Sequence, residues 1–327
     1  MMKDLIQRFP NQLKEAVSIA ASAKLSPIKS PIDKIIICGL GGSGIGGTIV
    51  KEILFDECTV PIEVLKSYSL PLYVNEHTLV ICSSYSGNTE ETLECYSIAQ
   101  KHKANIICVT SGGKLLEWAK KDGNDAIVLP GGMPPRSCLG YSLTQLLHII
   151  SHYGLAPQKS VEIDSIADTL QKEQEAIMNE AHHIAKKLYD KMPVIYCTAL
   201  HEGVAIRLRQ QLNENSKILC WHHVLPEMNH NELVGWSQAY PEIAVIIFQD
   251  KDEHPRNQLR WEFCKKIFKK YSGEVIEIYS KGDTAVAKKL YWIHFGDWVS
   301  YFLSEQRNVD AMDIQVINNL KGELASK

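Results

Sequence analysis

"DKIIICGLGGSGIGGTIVKEILF", residues 33–55, decides the fold. Ile35, Ile36, Ile37 and Cys38 form a short, unbroken apolar run that stops at a cluster of glycines. Ile45, Ile49 and Ile53 then recur at helical spacing. A strand apolar on both faces, running through a tight turn into an amphipathic helix, is one βα unit of a parallel sheet. Gly39, Gly41 and Gly44 formally satisfy GxGxxG. A dinucleotide fingerprint would also want an acidic residue at the end of the second strand, where "EVLKSY" stands instead.

The same grammar extends outward. "PIEVLKS" and "TLVICSS" read as strands, "NTEETLECYSIAQKHK" as a helix, "NIICVTS" as a strand, "KLLEWAKKDG" as a helix and "DAIVLP" as a strand. "SLTQLLHIISHYG" is a helix ending at Gly154, and the polar, proline-bearing "LAPQKSVEID" reads as a linker. After a long helical segment over 163–190, "MPVIYCTA", "GVAIRLRQQLNENSK", "ILCWHHV", "IAVIIFQD", "NQLRWEFCKKIFKKY", "EVIEIYS" and a long helix over 284–304 resume the alternation. The expectation is α/β with two domains, 1–155 with a leading helix and 156–327, each a mainly parallel sheet flanked by helices.

Composition narrows the function. At 327 residues and 45% hydrophobic, the chain can bury two domain-sized cores. Lys+Arg 35 against Asp+Glu 38 gives a net charge of -3 without a basic block, so neither nucleic acid nor an anionic membrane is expected as partner. Nine scattered cysteines, an odd number without a CxxC, read as small core residues in a reducing compartment. With no apolar leader-like or membrane-spanning run, a cytoplasmic location is expected.

Two loops carry the chemistry. "GLGGSGIGG" (39–47) and "SSYSGNTEET" (83–92) both follow strands and precede helices, where unpaired N–H groups and the positive end of the helix dipole favour an anion. Ser43, Ser84, Ser86 and Thr89 add hydroxyl donors without bulk, and Gly42 and Gly87 allow close approach, so the expected ligand is a small phosphorylated molecule. The alternative is local: Asn88 or Thr89 caps the following helix, with Glu90 and Glu91 in its first turn.

"GLGGSGIGG", "SSYSGNTEET", "GGMPPRSCLGYSL", "QLNENSK" and "LPEMNHNELVGW", in this order and at these intervals, resemble the bifunctional phosphoglucose/phosphomannose isomerase family of the SIS-domain superfamily, over about residues 30–325. The resemblance implies two SIS domains of α-β-α sandwich form, a homodimer, and interconversion of glucose 6-phosphate and mannose 6-phosphate with fructose 6-phosphate, without metal or cofactor. It implies Glu214 as catalytic base, His230 as the ring-opening histidine reaching into the partner's site, and Lys321 as an active-site lysine on C-terminal helices that pack back toward the site. Ala311 departs from the family, which usually has a proline there. Arg136, stiffened by two preceding prolines, suits an enediolate. Ser137, Cys138 and Gly140 would leave room for sugar, and Glu227 and Asn229 would orient His230. His222, His223 and His230 match no standard zinc spacing, and "LYWIHFGDWVSYF" reads as core or dimer surface.

Two other readings stay open. A sugar-phosphate-binding regulator would keep the hydroxyl loop and lose the acid–base set. An isomerase of a different sugar phosphate would keep both and change the C2 pocket.

Overall fold

The computed structural model describes residues 1–28 and 30–326. In chain order its elements are α1 (Met2–Gln7), α2 (Phe9–Ser22), β1 (Lys34–Cys38), α3 (Gly41–Ile53), β2 (Ile62–Leu65), β3 (Thr78–Ser83), α4 (Glu90–Lys101), β4 (Asn105–Thr110), α5 (Gly113–Asp122), β5 (Asp125–Val128), α6 (Leu139–His152) and α7 (Ser160–Leu188). There follow β6 (Met192–Thr198), α8 (Glu202–Glu214), β7 (Trp221–Leu225), β8 (Tyr240–Gln249), α9 (Pro255–Tyr271), β9 (Ser272–Tyr279), α10 (Ala285–Gln306) and α11 (Gln315–Ala325). The chain divides into an amino-terminal unit, residues 8–172 with 282–287, and a carboxy-terminal unit, residues 1–7, 173–281 and 288–327. The change of unit at 172/173 falls inside α7, later than the polar stretch after Gly154.

The amino-terminal sheet has the order β2-β1-β3-β4-β5, and every pairing is parallel. β1 and β3 are central because they are apolar on both faces: Ile35 to Cys38 and all six residues of β3 are buried. Each fully buried isoleucine contributes roughly 1.5–3 kcal/mol relative to exposure, so these strands cannot move to an edge cheaply. α5 ends where Gly123 takes a left-handed conformation (φ 72°). α6 is buried almost all round, and α2 and α3 pack against it. Gln12 and Gln145 link α2 to the α6 region through Ser137 O and Ala16 O, both at 2.8 Å.

The carboxy-terminal sheet has the order β7-β6-β8-β9, again all parallel, and repeats the first four positions of the other sheet. One face is covered by an aromatic core in which Tyr196 stacks on Phe268 at 4.9 Å and Trp236 Nε1 donates to Tyr196 Oη at 3.1 Å. Trp292, Phe295 and Trp298 of α10 are fully buried, so the aromatic stretch there is core. Seven of the nine cysteines are buried and all nine are free thiols. Among the described residues no helix is long and apolar enough to cross a membrane.

Candidate active site

In the amino-terminal sheet the connections from β1 and β3 leave toward opposite sides, which opens a crevice at their carboxyl ends. Cys38 and Cys82 are register partners there, so the loops that begin at Gly39 and Ser83 start side by side. A Cβ on Gly39 would sit 2.7 Å from Ser83 O, so only glycine lets the two loops approach this closely. Ser43, in the first turn of α3, closes the gap: its Oγ accepts from Tyr85 N at 3.3 Å.

The second loop is built around its hydroxyls. Ser84 Oγ lies 2.8 Å from Thr89 Oγ1 and accepts from Gly87 N at 3.1 Å, while Ser86 Oγ accepts from Asn88 N at 3.3 Å. Gly87 has φ +69°, and a Cβ there would meet Gly112 O at 1.8 Å. The capping alternative does not hold for α4. Thr89 makes no side-chain cap, its hydroxyl being engaged by Ser84, and Asn88 Oδ1 instead accepts from Lys114 N at 3.1 Å in the first turn of α5. The first-turn N–H groups of α4 are thus left without a side-chain cap, as an anion site requires.

A third loop completes this region. Arg136 is buried in the 3-10 turn Pro135–Ser137, and a Cβ on Gly42 would lie 3.0 Å from Pro135 O and 3.7 Å from Arg136 Cα. Tyr85 ties that loop to the others, donating to Pro130 O at 2.7 Å and accepting from Met133 N at 3.3 Å. Burial raises the Tyr85 phenol well above its ordinary pKa, so it remains a donor. Tyr85 was not singled out from sequence; its place between two loop serines was the available signal. Lys66, at the carboxyl end of β2, was also missed: it donates to Thr48 Oγ1 at 3.1 Å, and its Cε lies 3.4 Å from where a Gly44 Cβ would stand.

Some expectations are corrected. Gly140 serves α2, not an open pocket: its N–H donates to Gln12 Oε1 at 2.9 Å, and a Cβ would stand 2.6 Å from that oxygen. Ser137 Oγ and Cys138 Sγ both turn back on Pro134 O, at 2.8 and 3.5 Å. Cys38, Cys82 and Cys108 lie in one register across β1, β3 and β4 beneath the loops. Burial pushes the Cys108 thiol up to about 12, so it is no thiolate nucleophile. A depression of about 340 Å³ lined by Ser26, Asn105, Asp125 and Tyr153 lies at the opposite, amino-terminal end of β4 and β5.

The other three predicted residues belong to the carboxy-terminal unit, on separate elements. Glu214 is the last residue of α8 and half-buried, and Lys217 Nζ donates to its backbone carbonyl. His230 is exposed in the 3-10 turn Glu227–His230, and Lys321 is exposed on α11. Glu227 and Asn229 are not aimed at His230. Glu227 Oε1 accepts from Asn231 Nδ2 at 2.9 Å, while Asn229 accepts from Arg260 at 3.1 Å and turns its amide to Cys264 Sγ. His222 lies 3.4 Å from Glu202 and His223 bonds the backbone of Val224. Among the described residues no three His, Cys, Asp or Glu side chains converge as a metal would need.

The carboxyl-end crevice between β6 and β8, the topological counterpart of the hydroxyl crevice, is built differently. His201 Nε2 lies 3.7 Å from both Asp250 and Glu253, and Lys288 Nζ is 2.8 Å from Asp250. Burial works to raise the Asp250 carboxyl, but hydrogen bonds from His201 and Lys288 hold it well below the usual carboxylate range. Burial lowers His201, and the charge on Lys289 adds to this against the pull of Asp250. This crevice is occupied by its own ion-paired side chains.

Residues 177–324 match the family model of the bacterial phospho-glucose isomerase C-terminal SIS domain. The chain is 36% identical over 335 residues to the bifunctional phosphoglucose/phosphomannose isomerase of Caldicellulosiruptor bescii, covering 99% of each chain. It is 37% identical over 301 residues to the protein of the same name from Aquifex aeolicus, covering 90% of this chain and 91% of that one. A protein from Sulfolobus acidocaldarius named D-glucosamine-6-phosphate 4-epimerase is 33% identical, covering 80% of this chain and 84% of its own. Among solved structures, the C-terminal domain of glucosamine-fructose-6-phosphate aminotransferase from Francisella tularensis superposes with a TM-score of 0.76 at 16% identity, over 95% of this chain and 97% of that one. A phosphosugar isomerase fold from Clostridium difficile 630 gives 0.76 at 18% identity over 98% of both. At these identities the structural likeness speaks for the fold alone.

Proposed function

The chain belongs to the bifunctional phosphoglucose/phosphomannose isomerase family, and on that premise we propose that it interconverts glucose 6-phosphate and mannose 6-phosphate with fructose 6-phosphate. The observation that carries this reading is the crevice at the carboxyl ends of β1 and β3. Gly42 and Ser43 in the first turn of α3 stand there beside Ser84, Ser86, Gly87 and Thr89 of the loop before α4, next to the loop that holds buried Arg136. A phosphate is the anion that such neutral donors suit, and Arg136 supplies a fixed positive charge for the adjoining sugar.

On the aldose the Glu214 carboxylate takes the C2 proton while O1 gains one, giving a cis-enediol. O2 then loses its proton as Glu214 returns one to C1, leaving the ketose. Arg136 stabilises the developing enediolate charge, and this proton shuttle asks for no metal or cofactor. Both C2 epimers are served because rotation about C2–C3 brings either C2 proton to one base. His230 opens the ring from the partner subunit of a homodimer; its exposure on its own chain supports this. Lys321 closes over the sugar oxygens. The exposed Val316, Leu320 and Leu324 on α11 support that helix packing against a further surface.

The deciding experiment incubates the protein with fructose 6-phosphate and a chelator and detects the two aldoses separately. Both are expected. Glu214→Gln is expected to cut turnover by roughly 10²–10⁴-fold while still binding the ketose. A wild-type protein that binds fructose 6-phosphate and makes neither aldose would instead be a sugar-phosphate-binding regulator. The 33% identity to the amino-sugar epimerase favours one competing substrate class, so glucosamine 6-phosphate belongs in the same assay.

A further inference from the structure

The end of α8, which carries Glu214, is tied to α10 by a ladder of buried hydrogen bonds. Arg207 grips Asp297 with two prongs, Nε to Oδ1 at 3.2 Å and Nη2 to Oδ2 at 2.9 Å. One turn on, Gln211 Nε2 donates to the same Oδ1 at 2.9 Å. One turn further, Asn215 Nδ2 donates to Ser300 Oγ at 3.0 Å, and that hydroxyl donates to Asp297 O at 2.7 Å. Ser216 Oγ adds a bond to Ser300 O at 2.7 Å. All six residues are buried.

A helix C-terminus normally frays, because its last carbonyls lack intrahelical partners. Apolar packing alone would hold α8 against its neighbour and leave it free to rotate and slide. Directional bonds at three successive turns remove both freedoms. Residues 207, 211 and 215 form one stripe, and at about 100° per residue Glu214 lies roughly 20° from Arg207 around the helix axis. Any rotation of the stripe therefore carries Glu214 with it. A buried ion pair is poor at adding stability relative to well-packed apolar side chains; fixed geometry is what this one supplies.

We propose that Asp297 and Ser300 of α10 are positioning residues, which through Arg207, Gln211 and Asn215 fix the axial rotation of α8 and so aim Glu214 at the reacting carbons. The proposal rests on the reading of Glu214 as the base. A misplacement of about 1 Å can cost on the order of 10²-fold in rate, which makes a clamp of this kind worth its burial.

The test measures kcat and KM with fructose 6-phosphate, and the thermal unfolding midpoint, for full-length Ser300→Ala and for the double variant Arg207→Met with Asp297→Leu. The latter replaces the ion pair by apolar side chains, a change far milder than removing one partner alone, although it also takes the acceptor from Gln211 Nε2. The expected result is a fall in kcat of about tenfold or more in both. KM should stay within about twofold, since the hydroxyl crevice is untouched, and the midpoints should fall by no more than the loss of one or two buried hydrogen bonds entails, leaving both variants folded at the assay temperature. Wild-type kcat in either folded variant overturns the proposal, as does a loss that follows the fraction unfolded. Glu214→Gln is run beside them. An inactive wild type sinks the isomerase reading itself, whereas an active wild type, an inactive Glu214→Gln and an unchanged Ser300→Ala sink only the clamp.

Discussion

His294 lies on α10 with no exposed surface, and its Nε2 accepts from Trp298 Nε1 at 3.2 Å. Burial lowers its pKa to about 3. The unfolded imidazole titrates near ~6.5, so between those values the unfolded chain binds one proton more than the folded one. Stability contributed by the neutral ring is present above the unfolded pKa and is lost as pH falls, by about 1.4 kcal/mol per pH unit. His294→Gln should therefore make the stability difference between pH 7 and pH 5 smaller by about 2 kcal/mol in urea unfolding. Comparing one variant at two pH values cancels its packing cost. An unchanged difference would mean that His294 takes up its proton in the folded chain. His201, lowered in the same direction, adds to the same acid sensitivity.

At the scale of elements, the loop from β3 to α4 acts as one donor array. Ser84→Ala removes the hydroxyl that meets Thr89 Oγ1 and shares the Gly87 N–H with the Ser84 carbonyl. Each hydrogen bond is worth about 0.5–1.5 kcal/mol, so KM for fructose 6-phosphate should rise roughly tenfold with kcat little changed; an unaltered KM would place the phosphate elsewhere. The strands that frame this loop were legible in sequence because Ile35 to Cys38 and Leu79 to Cys82 are apolar without interruption, a pattern only a doubly covered sheet needs. Ser43, Ser84 and Thr89 stand out in sequence as candidates because small hydroxyls at a strand–helix junction serve either an anion or a helix cap. What Asn88 caps was not legible. It serves α5, reached only once β3 and β4 pair, and no local pattern encodes such a partner. Asn229 likewise neighbours His230 in sequence but spends its amide on Cys264 and Arg260, since a 3-10 turn sends successive side chains in different directions.

At the scale of the whole molecule, the proposed dimer makes a prediction that no single chain can imitate. If His230 serves the partner's site, then mixing Glu214→Gln subunits with His230→Gln subunits, each inactive alone, creates one intact site in every mixed dimer. Random exchange should restore about a quarter of wild-type activity. No recovery, with exchange confirmed by mass, would put His230 and Glu214 of one chain in the same site. The two sheets share a strand order, yet their crevices differ: hydroxyls and bare N–H groups in one, the His201, Asp250, Glu253 and Lys288 network in the other. The second crevice has in effect bound its ligand covalently, as its own side chains. On the proposed reading, bound phosphate stabilises the amino-terminal loops by mass action, whereas the carboxy-terminal crevice is filled by its own ion-paired network with metabolite or without it.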